Sequence, residues 1–163
     1  MPAQRDLVIN TGPVLALTAA GHFEILRELY ARVVVPYEVV QEIEAGGRTQ
    51  FAREEFRAAA WLDKRVTATT LPRLLQSTLV AGEAAVIALA TSEGIATVAI
   101  DETVGRRIGR LHGLSITGSL GILIQAKQRG SQITLRPAIA RMRQHGIWLS
   151  AALEAECLRA AGE

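Results

Sequence analysis

The segment Leu7-Val8-Ile9-Asn10-Thr11 predicts a buried strand that ends in polar residues, a pattern typical of the central strands of α/β sheets. A second segment, Thr97-Val98-Ala99-Ile100-Asp101-Glu102, has the same pattern. In open α/β sheets, ligands bind outside the carboxyl ends of parallel strands, where the connections diverge to opposite faces. We therefore expect Asn10 and Asp101 to meet at one edge of a parallel sheet, although they are distant in sequence.

Apolar runs alternate with helical patterns along nearly the whole chain, which favours a parallel sheet flanked by helices. The predicted strands cover residues 7–9, 33–35, 97–100 and 115–117, with an edge strand at 66–70, and the predicted helices cover residues 13–20, 22–30, 37–45, 50–61, 83–90, 104–111, 119–127, 137–145 and 150–160. We find no repeat or linker that divides the chain. We interpret residues 1–163 as one α/β domain, in which the helices at about 137–160 either pack on the rest of the domain or serve in oligomerisation.

The composition is that of a globular protein. Of the 163 residues, 49% are hydrophobic and 21% are charged, which excludes a disordered chain. Cys157 is the single cysteine, which favours a reducing compartment. No signal peptide is recognisable, and no apolar run approaches the roughly 18 residues of a membrane span. We expect a cytoplasmic protein without membrane association.

Basic residues concentrate in two groups near the end of the chain. The first group consists of Arg106, Arg107, Arg110 and His112, and the second of Arg136, Arg141, Arg143 and His145. Each group is either a solvated helix face or a surface that contacts phosphates. The net charge of +2 allows a polyanionic partner without requiring one.

Two acidic residues lie at positions where an active site would form. Asp101 directly follows a buried strand, although an Asp there also suits the N-cap of the next helix. Glu83 begins an Ala-rich helix, where the helix dipole alone stabilises an acid by roughly 0.3–1 kcal/mol. The small side chains of Ala84, Ala85 and Ala88 allow this helix to approach the sheet closely, which would bring Glu83 near the strand ends.

Three further polar residues are ambiguous when each is considered alone. Glu42 borders the buried face of its helix, but periodicity does not distinguish it from Glu44, and both are consistent with a surface position. Asn10, followed by Thr11 and Gly12, is consistent with a simple turn. Ser119 is consistent with a helix N-cap.

Considered together, Asn10, Glu42, Glu83 and Asp101 predict a cation site. Each lies at or near the end of a predicted strand or helix, and a ligand set made only of oxygen atoms favours Mg²⁺ or Mn²⁺ over zinc. No histidine has the spacing of a zinc ligand. Carboxylates gathered at a sheet edge are suited to metal-dependent hydrolysis of phosphodiesters.

Five segments together resemble the PIN-domain family, in the branch of PIN-like proteins often found beside antitoxin-type genes. The segments, in order, are Leu7-Val8-Ile9-Asn10-Thr11-Gly12-Pro13 with Leu15-Ala16-Leu17, Val33-Val34-Val35-Pro36 with Val40-Gln41-Glu42-Ile43, Gly82-Glu83-Ala84 with Ile87-Ala88-Leu89-Ala90, Ile100-Asp101-Glu102 with Gly105-Arg106, and Thr117-Gly118-Ser119-Leu120-Gly121. They span nearly the whole chain, and their fixed order makes the resemblance fairly specific.

The resemblance implies an α/β/α sandwich with a mostly parallel central sheet and a Mg²⁺- or Mn²⁺-dependent ribonuclease activity. It places the acidic cluster at Asn10, Glu42, Glu83 and Asp101, with Thr11 and Ser119 as polar residues beside it. Glu42, Glu83 and Asp101 would hold the metal, while Arg106, Arg107 and Arg110 would contact the RNA. Many relatives are toxins held inactive by an antitoxin, which implies a small protein partner and a homodimer.

Position 10 departs from the family pattern, because the family has Asp there and this chain has Asn. The amide oxygen is neutral, so it binds a divalent cation more weakly than a carboxylate does. The sequence therefore leaves two functions open: an impaired ribonuclease, or a catalytically silent PIN fold that binds RNA or protein. A flavodoxin-like, receiver-like or HAD-type module is a third alternative, but receiver and HAD-type proteins need acids where Asn10 lies.

Overall fold

The computed structural model of the protein describes residues 4–163. Its strands are β1 (Asp6–Ile9), β2 (Arg32–Val35), β3 (Asp63–Lys64), β4 (Thr97–Ala99) and β5 (Ser115–Thr117). Its α-helices are α1 (Thr11–Ala20), α2 (Ile25–Leu29), α3 (Tyr37–Glu44), α4 (Gln50–Ala58), α5 (Arg73–Thr78), α6 (Ala81–Glu93), α7 (Thr103–Leu111), α8 (Ser119–Gln128), α9 (Leu135–Gln144) and α10 (Ala151–Ala160). A 3₁₀ turn, Gly47–Thr49, connects α3 to α4.

The five strands form one sheet in the order β3-β2-β1-β4-β5, and each neighbouring pair is parallel. The chain builds outward from β1 to β2 and β3, then crosses to the other side of β1 to form β4 and β5. The connections therefore diverge between β1 and β4, where Ile9 pairs with Ala99. The predicted parallel sheet is confirmed.

Helices cover both faces of the sheet, as the predicted sandwich requires. Helix α1 contacts α4, α8 and α9, and α8 also contacts α2 and α10, while α6 contacts α3, α5 and α7 together with β1 and β4. Residues 82–90 of α6 are all buried, so this helix packs on every side. The core consists mainly of Val, Ile, Leu and Ala from the strands and from these helices. No helix within residues 4–163 is long and apolar enough to cross a membrane.

The predicted edge strand at 66–70 is wrong. The real edge strand, β3, ends at Lys64, and the last ladder bond runs from the Arg65 amide to the Val35 carbonyl, at 2.9 Å. Beyond Val35 the chain continues with Pro36, which has no amide hydrogen, and then enters α3. Residues 66–70 therefore have no strand beside them, and Val66 is 87% exposed.

Several helix boundaries also differ from the sequence prediction. The helix predicted at 22–30 is limited to Ile25–Leu29, because Gly21 ends α1 in the left-handed conformation and a turn follows it. Helix α5 was not predicted, and it begins directly after Pro72, a residue that suits the start of a helix. The C-terminal helices are packed on the domain, since Leu135, Ile139 and Met142 of α9 are buried.

Candidate active site

The predicted meeting of two strand ends is present in the structure. Asn10 follows β1 directly, and its backbone N–H donates a hydrogen bond to the Ala99 carbonyl of β4 at 3.0 Å. Asp101 lies two residues beyond Ala99, at the same carboxyl edge. Both residues are therefore at the switch point of the sheet, the position where open α/β proteins bind ligands.

Asn10 and Glu42 lie together on the β1 side of this edge. The Asn10 Oδ1 and Glu42 Oε2 atoms are 3.3 and 3.2 Å from the point where a Cβ atom on Gly82 would lie. The Thr11 hydroxyl donates to the same Glu42 oxygen at 2.7 Å, and an Arg48 Nη2 donates to Glu42 Oε1, also at 2.7 Å. Because Gly82 has no side chain, α6 can approach these two oxygen atoms of Asn10 and Glu42 closely.

The Asn10 side chain is not explained as a helix cap. Asn10 occupies the N-cap position of α1 in an extended conformation, but its side chain makes no capping hydrogen bond. The residue is only 6% exposed. Its amide oxygen is directed instead toward Gly82 and the neighbourhood of Glu42.

Asp101 is held on the other side of the switch point by the start of α8. Its Oδ1 atom accepts a hydrogen bond from the Ser119 amide at 2.8 Å. The N-terminus of a helix favours a negative charge, so this contact stabilises the ionised carboxyl. The N-cap of α7 is Glu102, not Asp101, and the Glu102 side chain makes no capping bond. Asp101 therefore does not serve as the N-cap of α7.

Glu83 lies in the first turn of α6 and is only 7% exposed. Its Oε2 atom is 3.2 Å from the point where a Cβ atom on Gly105 would lie, so the carboxyl packs against the first turn of α7. The Ala residues of α6 are buried, as the close approach of this helix to the sheet requires. Glu83 therefore lies near the sheet edge, as the small residues of α6 predict.

A family model described as a PIN domain matches residues 6–163. The chain belongs to the PIN-domain family. No match to this chain was found among curated proteins or among solved structures. PIN domains are typically nucleases and generally use divalent metal ions.

The acids of this PIN domain repel one another around Glu83 and Asp101. Burial raises the pKa of the Glu83 carboxyl above its ordinary value of 4.5, and the charges of Glu102 and Glu42 raise it further. Loss of surrounding water also raises the pKa of Asp101, against the opposing effects of the Ser119 hydrogen bonds and of Arg106. The Asp101 carboxyl is enclosed by its neighbours, although the residue as a whole is exposed. A bound cation would offset this repulsion.

The donor chemistry of the site fits Mg²⁺ or Mn²⁺, because all of its candidate ligand atoms are oxygens. The three predicted acids do not form one ligand group, since nowhere in residues 4–163 do three His, Cys, Asp or Glu side chains lie close enough to hold a metal ion. Glu42 is already engaged by Thr11 and Arg48. Within residues 4–163 the structure thus places these oxygen atoms at one sheet edge without bringing three acids into one ligand group.

The two basic groups differ in what their side chains do. Arg107 and Arg110 are exposed on α7, while Arg106 is half-buried. In the second group, Arg141 donates to the Ala20 carbonyl at 2.8 Å, and Arg143 forms an ion pair with Glu154 of α10. The second group is therefore used largely to attach α9 to its neighbours.

Sequence reasoning missed two charged residues of the PIN-domain site. Glu102 adjoins Asp101, and its charge affects both Glu83 and Asp101, a proximity that the acidic pair Asp101-Glu102 could have signalled. Arg48 contacts Glu42 from the turn after α3, which no sequence pattern indicates. The predicted contact residues Thr11 and Ser119 are buried, and each donates a hydrogen bond to an acid of the site.

Proposed function

We propose that this PIN domain is a ribonuclease that hydrolyses RNA phosphodiester bonds and depends on Mg²⁺ or Mn²⁺. The observation that carries the proposal is the cluster of carboxylates at the switch point, where Glu83, Asp101 and Glu102 lie near one another and burial raises the pKa of Glu83 and of Asp101. Such a concentration of charge at a ligand-binding edge favours the binding of a divalent cation.

In this proposal Glu42, Glu83 and Asp101 would draw together around a bound cation, because their present arrangement within residues 4–163 is not a ligand group, and Asn10 would supply a neutral oxygen. Thr11 orients Glu42 through its 2.7 Å hydrogen bond, and the Ser119 amide orients Asp101. When bound, the cation would stabilise the negative charge that develops on the phosphate and would make water a better nucleophile.

The RNA backbone would lie across α7, whose exposed arginines Arg107 and Arg110 are free to contact phosphates. These long cationic side chains suit phosphate oxygens, which accept hydrogen bonds from guanidinium groups. Contacts of this kind bind RNA without selecting a sequence.

The test is cleavage of a labelled single-stranded RNA with Mn²⁺, compared with the same reaction in EDTA. We expect Asp101→Asn to reduce the Mn²⁺-dependent rate by at least about 100-fold, because loss of a ligand should exceed the effect of losing a supporting residue. Glu156→Gln, which removes an exposed acid of α10, serves as the matched control and should cleave normally. Full activity of Asp101→Asn would remove the proposed site.

A second function is a catalytically silent module that binds RNA or protein. It is favoured by the lack of an available negative charge on the β1 side. Asn10 contributes no charge there, and the Glu42 carboxylate is held by Arg48 and Thr11. Calorimetric titration with Mn²⁺ separates the two functions. Absence of binding by the natural protein, with binding gained in Asn10→Asp, would support the silent module.

An antitoxin partner, a homodimer and a cytoplasmic location stay predictions that derive from the family resemblance and the composition. Light scattering of the purified chain measures the oligomeric state directly. Copurification with the product of an adjacent small gene tests the antitoxin partner, and loss of RNA cleavage in that complex would support a toxin.

A further inference from the structure

The three arginines of α7 are placed differently, although all belong to the same basic segment. Arg106 is half-buried, and its Nη1 atom donates a hydrogen bond to the Ile100 carbonyl at 2.8 Å. Arg107 and Arg110 are exposed, and no side-chain hydrogen bond or ion pair from either is present within residues 4–163. One arginine is therefore fixed to the protein, while the other two face solvent.

Two glycines allow Arg106 to reach the sheet. A Cβ atom on Gly109 would lie 2.6 Å from the Ile116 Cδ1 atom, and one on Gly105 would lie 3.0 Å from the Ile100 Cγ2 atom. Helix α7 thus packs closely over β5 and over Ile100, the residue that directly follows β4. Helical side chains lean toward the N-terminus of their helix, so the Arg106 side chain is directed back to the end of β4.

The Ile100 carbonyl belongs to the peptide that leads directly into Asp101. The Ile100 amide is bonded to the Thr117 carbonyl at 3.0 Å, and the Asp101 carboxyl is bonded to the Ser119 amide. Arg106 also lies close to the Asp101 carboxyl, since its Nη1 atom and the Asp101 Oδ1 atom are 2.8 and 2.7 Å from the point where a Cβ atom on Gly118 would lie.

A guanidinium engaged in this way is poorly placed to bind RNA. Its hydrogen bond to Ile100 fixes the side chain at the end of β4, and its half-buried position limits the access of a phosphate to the remaining N–H groups. The exposed guanidinium groups of Arg107 and Arg110 face neither restriction.

We propose that Arg106 is a positioning residue, which fixes the peptide before Asp101 and thereby the Asp101 carboxyl, while Arg107 and Arg110 contact the RNA backbone. This division of roles rests on the proposed ribonuclease function. It differs from a uniform basic patch, in which all three arginines would contribute alike to RNA affinity.

The first experiment needs neither metal nor RNA. Hydrogen exchange of the Ser119 amide, measured by NMR, reports the bond that Ser119 donates to Asp101. We expect Arg106→Gln to speed this exchange by about tenfold relative to the natural protein, with the Val98 amide unchanged as a measure of global stability. Arg107→Gln, the matched control on the same helix, should have no effect, and Arg106→Lys should restore part of the protection.

The second experiment measures Mn²⁺ affinity by calorimetry without RNA, and RNA affinity by fluorescence anisotropy in EDTA. Arg106→Gln should weaken Mn²⁺ binding severalfold and change RNA affinity less than twofold. Arg107→Gln and Arg110→Gln should each do the reverse, and each should lower the slope of log affinity against log salt by about 0.7.

Two results would overturn the positioning role of Arg106. One is Ser119 exchange that is equal in the Arg106→Gln and Arg107→Gln variants. The other is an Arg106→Gln variant that loses RNA affinity as Arg107→Gln does while it keeps its Mn²⁺ affinity. If the natural protein binds neither Mn²⁺ nor RNA, the proposed ribonuclease function fails, and the Ser119 exchange still decides whether Arg106 positions Asp101.

Discussion

The two sides of the switch point differ in how far their carboxylates are neutralised. On the β1 side, Asn10 has no charge and the Glu42 carboxylate is bonded to Arg48 and Thr11. On the β4 side, the three carboxylates of Glu83, Asp101 and Glu102 lie near one arginine, Arg106, and the pKa values of Glu83 and Asp101 are raised. The negative charge available to a cation is therefore concentrated between α6 and β4.

The largest effect is expected from Gly118→Ala, which disrupts the β4 side. The added methyl group would lie 2.7 Å from Asp101 Oδ1 and 2.8 Å from Arg106 Nη1, so at least one of these groups must move. We expect Mn²⁺ affinity to fall more than tenfold and the free energy of unfolding to fall by about 1–3 kcal/mol. Calorimetry and urea denaturation measure the two quantities.

Gly12→Ala is the matched control for that substitution. Its methyl group would meet Asp101 at 3.8 Å, an ordinary contact, and Gly12 lies in helix α1, where Ala is favourable. Equal Mn²⁺ affinities of the two variants would show that crowding of the Asp101 carboxyl does not govern cation binding.

Asn10→Asp should add a negative charge to the β1 side of the switch point. A carboxylate beside Glu42 adds a negative charge near the cation, so we expect Mn²⁺ affinity to rise about tenfold. The same variant should be less stable than the natural protein without metal, because the new charge is buried. Gln144→Glu adds an equal charge at an exposed position of α9 and controls for net charge. Equal gains in affinity from both variants would argue against a specific site.

Glu83→Gln should raise the melting temperature of the metal-free protein at pH 7. Because the folded pKa of Glu83 is raised above 4.5, the folded state holds this proton more tightly than the unfolded state does. The contribution of Glu83 to stability is therefore fully present below pH 4.5 and is lost as the pH rises through the folded pKa. Gln does not ionise, so the variant avoids this loss.

Calorimetric melting scans at pH 4 and pH 7 check this sign. The advantage of Glu83→Gln should shrink at pH 4, and added Mn²⁺ should stabilise the natural protein more than the variant. An advantage of the same size at both pH values would mean that packing, rather than charge, distinguishes Gln from Glu.

The smallest effect is expected from Arg48→Ala, which removes the ion pair to Glu42 on the β1 side. Arg48 is 72% exposed, and exposed ion pairs are worth about 0–1 kcal/mol, so Mn²⁺ affinity should rise only about two- to threefold. Arg57→Ala breaks the ion pair to Glu44, two residues further along α3, and should leave Mn²⁺ affinity unchanged. A loss of affinity in Arg48→Ala would contradict the view that Arg48 competes with the cation.

Sequence periodicity predicted the strands that build the switch point, because each of them is a short run of apolar residues with a polar residue at its end. It also predicted the close approach of α6, because the small size of Ala is a local property. The strand at 66–70 was wrong for a reason outside that segment, since β2 ends before Pro36 and leaves no partner.

The charges of the site were predicted less completely than its position. The bond from Arg48 to Glu42 depends on the turn Gly47–Thr49, whose path no periodic pattern specifies. The half-buried state of Arg106 depends on Gly105 and Gly109, which let α7 approach the sheet. Both features arise from tertiary packing, whereas a sequence records only that a charge is present.

The shortness of the two edge strands limits how copies of this protein can assemble. Strand β3 has two residues and β5 has three, so neither edge offers a long row of unpaired backbone groups to another chain. Extension of the sheet from one copy into the next is therefore disfavoured. A homodimer of this protein should join through its helices, and the two sites would then stay on separate sheets.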